Sequence, residues 1–297
     1  MTSTGYDEKS ERWLTEEDRV RRSQETGGEP ILTFDEKVNP FAGYLNADIL
    51  HTLQNPRTKG HGEPAFLIMG QVMELLFKLS LTEVRQARDC LDADDLRGAL
   101  WVLRRLLRSQ EMLVQTWQVL SALSPTEYAA FRDSLGEGSG FQSYMYRQLE
   151  FTLGNKNPRL LEPHHNNPAV YAEVVRALHE PSLYDATLRL MQRHALPIPQ
   201  EHLDRDPAQP YQASDEVVRA WLAVYREPQR WGEVYELGEA LTDVAHQFGR
   251  WRNDHLLTVE RILGHKVGTG GTSGVTWLRR IAEHRFFPEL WQVRSDI

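Results

Sequence analysis

The chain has 297 residues, 40% of them hydrophobic, which is enough for a sizeable folded core and excludes a disordered protein. Its 34 Lys and Arg against 42 Asp and Glu give a net charge of −8 with no basic stripe, so nucleic acid is not an expected partner. The polar N-terminus has no apolar signal core, and uninterrupted apolar runs fall far short of the roughly 20 residues that cross a bilayer. The expectation is a soluble cytoplasmic protein without membrane association. The one cysteine, Cys90, permits no internal disulfide and reads as a small core residue.

Residues 1–38 are charged and poor in apolar periodicity, and read as a polar extension that gains order only by docking. Residues 39–297 read as a single helical domain whose core starts near Phe41. Val72, Leu75, Leu76 and Leu79 fall on one helical face, and Leu96, Leu100, Leu103, Leu107, Val114, Trp117 and Leu120 on a second, longer one. Ser124-Pro125-Thr126-Glu127 is a helix start that leads to Tyr128, Phe131 and Arg132. The glycines of residues 136–140 break that helix, and helical spacing resumes from Phe141 to Leu153. His164 and His165 fall in a polar loop and read as surface residues. Ser214 opens a helix that runs to Tyr225.

The last long helix carries the most information. Val234, Leu237, Leu241, Val244, Phe248, Trp251, His255, Val259 and Ile262 step by three or four and share a face, which Gly264 closes. No repeat and no alternating strand pattern competes, so the fold class is all-α, a multi-helix bundle.

Individual chemical signals are weak. An imidazole at His255, inside an apolar stripe, is either a neutral core histidine or a metal ligand, and spacing alone favours the former. No second His or carboxylate lies at zinc-pair spacing, so a lone axial ligand for haem is the ligation that fits. Residues 268–274 form a Gly-rich loop with the hydroxyls of Thr269, Thr272 and Ser273, suited to a zwitterionic group or merely flexible. Arg132 shares a helical face with Tyr128 and is either a carboxylate clamp or a solvated surface arginine. His61-Gly62-Glu63 is a metal pair or, preferably, a capped helix start.

Together these residues resemble one family. Gly43-Tyr44-Leu45, His61-Gly62-Glu63, Glu74-Leu75, Phe77-Lys78, Tyr128 with Phe131-Arg132, the Ser-Gly-Phe-Gln-Ser of residues 139–143, Tyr146-Arg147, Glu150-Phe151, Gly154-Asn155-Lys156, Trp251-Arg252, His255 and the Gly-Thr-Gly-Gly of residues 268–271 are similar, in order and interval, to the tryptophan 2,3-dioxygenases. The resemblance runs from about Phe41 to Val293. It implies a helical subunit holding b-type haem (Fe) through His255, acting on L-tryptophan or a derivative with O2. It also implies a homotetramer in which Phe41, Tyr44 and Leu45 line a neighbour's site. Arg132 would hold the substrate carboxylate, Thr269 its ammonium and carboxylate, and Phe66 and Tyr128 would wall the indole.

One departure stands out. The family carries histidine at the distal position where this chain has Gly70, within Phe66-Leu67-Ile68-Met69-Gly70-Gln71; Gly62 replaces an Asp and Leu76 a Trp. The loss of one acceptor removes about 0.5–1.5 kcal/mol and opens space for a water or a substrate substituent. The expected reaction is oxygen insertion at the indole C2=C3 bond to give N-formylkynurenine. The alternatives are a monooxygenase making an oxindole or hydroxylated product from a modified, for instance β-methyl, tryptophan in secondary metabolism, and a non-catalytic haem or amino acid sensor.

Overall fold

The computed structural model describes residues 14–34 and 39–297. The extension expected over residues 1–38 therefore lies partly outside the described residues, at 1–13 and 35–38. The chain divides into two compact units, Met1–Asn55 and Pro56–Ile297. Among the described residues there is no strand, in keeping with the all-α expectation.

In the first unit, part of the polar stretch is helical: α1 (Glu16–Glu25) starts on a capping box in which Thr15 and Asp18 satisfy each other's backbone N–H groups. Glu16, Glu17 and Asp18 in its first turn suit the helix dipole, and the helix buries no residue, so local terms rather than packing hold it. Next come α2 (Pro40–Leu45) and α3 (Ala47–Leu50), separated by Asn46 in the left-handed region at φ 52°. The core does not start here as expected. Phe41 is 72% exposed and Tyr44 87%, because a six-residue helix has too little surface to bury its own apolar side chains.

The second unit is built on α4 (Glu63–Asp92) and α5 (Leu96–Leu120), joined by a tight turn and packed antiparallel; Ser80 meets Ser109 at 2.9 Å, and Glu83 pairs with Arg105 at 2.8 Å. The buried face of α4 is Met73, Leu76, Phe77, Leu81, Val84, Ala87 and Leu91. That corrects the expected face: Leu76 belongs to it, but Leu75 and Leu79 are exposed at 56% and 46%. α4 carries apolar residues on two sides, and only the register that starts at Met73 continues to Leu91 along α5. By length and composition α4 passes for a membrane span, yet its buried face is core; no other described helix passes.

Then follow α6 (Pro125–Arg132), α7 (Tyr144–Leu153), α8 (Pro168–His179), α9 (Leu183–Arg193), α10 (Gln200–Leu203), α11 (Asp215–Arg226), α12 (Pro228–Leu263), α13 (Val275–Glu283) and α14 (Pro288–Gln292). α6 begins at the foreseen signal, with Ser124 and Glu127 completing a capping box. α12 bends at Gly232, whose φ of 35° is not helical, and runs regularly from there along α5. Its stripe packs as the spacing predicts: Val234, Leu237, Leu241, Val244, Phe248 and Trp251 are buried. α7 and α9 cover another part of α4, and α13 lies on α12.

A second correction concerns His164. It ends a 3-10 turn, Pro158–His164, and is only 4% exposed, so it is not a surface residue; His165 is exposed and stacks on Tyr171 at 4.3 Å. The turn folds inward because Pro158 and Asn157 start it and Leu160 and Leu161 pack on the small core around Phe151.

Candidate active site

His255 sits about two turns before the end of α12. Its ring lies flat on Trp117 of α5, with centroids 4.5 Å apart and 10° between planes, and tilts against Trp251 at 5.8 Å. One edge reaches the surface, yet the surrounding side chains enclose the ring enough that burial pushes its pKa down to about 4. The imidazole is thus neutral at ordinary pH, and neither ring nitrogen takes part in a hydrogen bond among the described residues. Beside it, the indole nitrogens of Trp117 and Trp251 are buried without partners.

Buried polar atoms are normally paired, so this cluster is unusual. A neutral imidazole with an unused lone pair, walled by aromatic rings, is a donor that would fit haem iron. Among the described residues no group of three or more His, Cys, Asp or Glu could build an all-protein metal site.

α6 packs against both α4 and α12 and brings the next residues in. Phe66 of α4 lies 5.9 Å from Tyr128 and 5.3 Å from Phe131, and those two are 5.3 Å apart, making a three-ring wall. Burial raises the Tyr128 pKa against the opposing charge of Arg132. Arg132 is only partly exposed. Its Nη2 donates to the Val267 carbonyl at 2.6 Å, and its Nε is buried with no partner.

The glycine-rich loop lies against residues 137–139. Thr269 Oγ1 donates to Gly138 O at 2.6 Å, and a Cβ on Gly270 would come within 2.7 Å of Ser139, so only glycine permits that approach. An open groove of about 700 Å³ runs between Glu74, Leu75 and Lys78 of α4 and residues 138–145. Burial raises the Glu74 pKa, with the Ser143 hydroxyl opposing.

Gly70 lies one turn after Phe66 and one turn before Glu74, and a Cβ built on it meets nothing within 4 Å. Gly62 differs: a Cβ there would sit 2.9 Å from Leu123 and 3.2 Å from Glu127, so this chain's packing requires the missing side chain. Leu76 is buried in the core. Residues 61–63 do open α4, but without the expected cap: Gly62 at the N-cap position offers no side chain, and Glu63 instead accepts from Arg57 N, Thr58 N and Thr58 Oγ1 at 2.7, 2.8 and 2.5 Å, which pins the preceding loop, while His61 is exposed. Phe41, Tyr44 and Leu45 belong to the unit Met1–Asn55 and are exposed.

Sequence reasoning gave no role to Phe131 or Trp117, and it missed a buried ionic cluster. Glu150 of α7 is bonded to Arg147, Arg252 and Tyr146, the last at 2.8 Å, with all three charged residues under 5% exposed. Burial pushes the Glu150 carboxyl up, and the two arginines more than offset it. Arg252 also donates to His284 O at 3.2 Å, locking α12 to α7 and to the end of α13. Lys156, likewise buried, donates to the carbonyls of Ala177, Leu178 and Glu180 and so caps α8.

The tryptophan 2,3-dioxygenase family profile matches residues 26–297. The chain is 46% identical to tryptophan 2,3-dioxygenase 1 of Ralstonia nicotianae over 88% of its own length and 89% of that protein's. It is 44% identical to tryptophan 2,3-dioxygenase of Pseudomonas fluorescens, over 90% and 93%. With its aromatic cluster at His255 and its wall of Phe66, Tyr128 and Phe131, the chain belongs to the tryptophan 2,3-dioxygenase family.

Proposed function

We propose that the chain is a haem-dependent tryptophan 2,3-dioxygenase that opens the indole ring of L-tryptophan with both atoms of dioxygen, giving N-formylkynurenine. The observation that carries this is the neutral, unpaired imidazole of His255, stacked on Trp117 and tilted against Trp251. His255 would hold the iron of a b-type haem. Haem supplies iron chemistry that activates dioxygen, which no protein side chain here can do.

The protein's own residues bind and orient. Arg132 offers an unused buried N–H and a fixed guanidinium for the substrate carboxylate. Thr269, donating its proton to Gly138, keeps lone pairs that accept from the ammonium group. Phe66, Tyr128 and Phe131 hold the indole by its faces and exclude water. Gly70 offers no side chain that could act as a base, so the indole nitrogen would keep its proton. The exposed aromatic side chains of Phe41 and Tyr44, with Leu45, fit a role in completing a neighbouring subunit's site in a homotetramer. An intracellular setting suits a haem enzyme with one free cysteine.

Neither the one-atom reaction on a modified tryptophan nor the sensor draws support from the family or its relatives. Turnover of L-tryptophan by the ferrous, haem-loaded protein under ¹⁸O2 tests the proposal. Two heavy atoms in N-formylkynurenine is the expected result; one heavy atom in an oxindole, or no turnover, overturns it.

A further inference from the structure

A histidine that binds a metal is ordinarily held in orientation by a hydrogen bond from its other ring nitrogen to a carboxylate or a carbonyl. His255 makes no such bond among the described residues, and the indole nitrogens of Trp117 and Trp251 beside it are unpartnered as well. Ring packing alone orients it: the imidazole lies flat on Trp117 at 4.5 Å and tilts against Trp251 at 5.8 Å. Trp251 in turn packs on Phe77, Trp117, Tyr146 and Phe248, with centroids 5.4 to 6.1 Å away. Of these rings only Tyr146 carries a bonded polar atom: its hydroxyl donates to Glu150 Oε1 at 2.8 Å and accepts from Arg252 Nε at 3.3 Å. Burial raises the Tyr146 pKa, which keeps the proton on the hydroxyl for Glu150. Glu150 and Arg252 are themselves buried and paired. Among the described residues, a directional restraint therefore enters the aromatic assembly around His255 at the Tyr146 hydroxyl.

We propose that Tyr146 is a positioning residue for His255: anchored through its hydroxyl to Glu150 and Arg252, it sets the plane of Trp251, and Trp251 with Trp117 fixes the angle at which the imidazole is presented. This rests on the reading of His255 as the haem ligand. The orientation of an axial imidazole governs its bond to iron and the iron's reduction potential. A change at the Tyr146 hydroxyl is therefore read at the iron, although Tyr146 reaches His255 only through Trp251.

The test uses the haem-loaded full chain and its Tyr146→Phe, Trp251→Phe and double variants. The iron–histidine stretching band of the ferrous protein in resonance Raman and the ferric/ferrous midpoint potential are read beside kcat and KM for L-tryptophan. Tyr146→Phe keeps the ring and removes the anchor, so the band and the potential should shift and kcat should fall by about 10-fold while KM stays within about 2-fold. Trp251→Phe should shift the band at least as far, and adding Tyr146→Phe to it should produce no further change, because the hydroxyl acts through the indole. A Tyr146→Phe protein with the parent's band and potential overturns the positioning role, as does a double variant whose shift is the sum of the two single ones. Either result leaves His255 standing as the ligand. If the parent itself shows no iron–histidine band, the haem reading fails and the proposal with it. Should Trp251→Phe fail to fold, Tyr146→Phe decides alone, since the loss of one hydroxyl leaves Glu150 paired with Arg147 and Arg252.

Discussion

Two polar clusters sit one turn apart on α12 and differ in how their hydrogen-bonding capacity is used. Around Arg252, the guanidinium, the Glu150 carboxylate and the Tyr146 hydroxyl bond to one another in a volume closed to water. Around His255, an imidazole and two indoles stack closely but leave their nitrogens without partners. The first cluster pairs its opposite charges internally, although Arg147 Nε and His284 Nε2 beside it lack partners, and it fixes α12 against α7. The second has no hydrogen bond of its own among the described residues. A neutral imidazole with an unused lone pair among aromatic rings is the feature on which the proposed haem role of His255 rests.

If that contrast is right, breaking the first cluster costs fold and altering the second costs function. Glu150→Ala leaves Arg147 and Arg252 buried without a counter-charge and should lower unfolding stability by about 3–5 kcal/mol in urea titrations. Stability within 1 kcal/mol of the parent's would mean that the cluster is not what locks the helices. Arg132→Leu comes next: removing the charged clamp should raise KM for L-tryptophan by about 10- to 100-fold, with stability little changed. A KM unaltered within 2-fold would place the carboxylate elsewhere.

Acid sharpens the comparison at its edge. Burial, reinforced by the charge of Arg252, pushes His284 down to about 4 from its ordinary 6.5. A folded pKa below the unfolded one means stability is fully present above about pH 6.5 and declines as pH falls toward 4, as the unfolded chain takes up the proton first. His284→Phe should flatten part of that decline in urea midpoints measured between pH 7 and 4; an unchanged slope would show that His284 does not contribute. The smallest effect is expected at Trp117→Phe. It keeps an aromatic ring against His255 and removes an N–H that has no partner, so stability should shift by under about 1 kcal/mol.

The same division governs what the sequence makes legible. The α5 and α12 stripes can be read directly, because each has a single apolar face. α4 cannot, since leucines on two sides allow two registers and only the partner helix chooses between them. Phe66, Tyr128, Arg132, Thr269 and His255 each look ordinary alone and acquire a role only as a family pattern; Phe66 and Tyr128 stand in ring contact, while Arg132 bonds to the Val267 carbonyl and Thr269 to that of Gly138, contacts that no spacing in the sequence announces. The Glu150 and Arg252 pair is 102 residues apart in sequence, with no local spacing rule to announce it. A buried His164 was equally unreadable, because what covers it is the fold of the turn and not the polarity of its neighbours.

The central claim is that His255 is the one protein ligand to haem iron, and it is tested most directly by the absorption spectrum of His255→Gly purified with haem, with and without added imidazole. The account predicts that this variant stays folded, loses the parent's Soret band and haem stoichiometry, and regains both when imidazole fills the space left by the side chain. A His255→Gly protein that keeps the parent's spectrum and haem content without imidazole would contradict it.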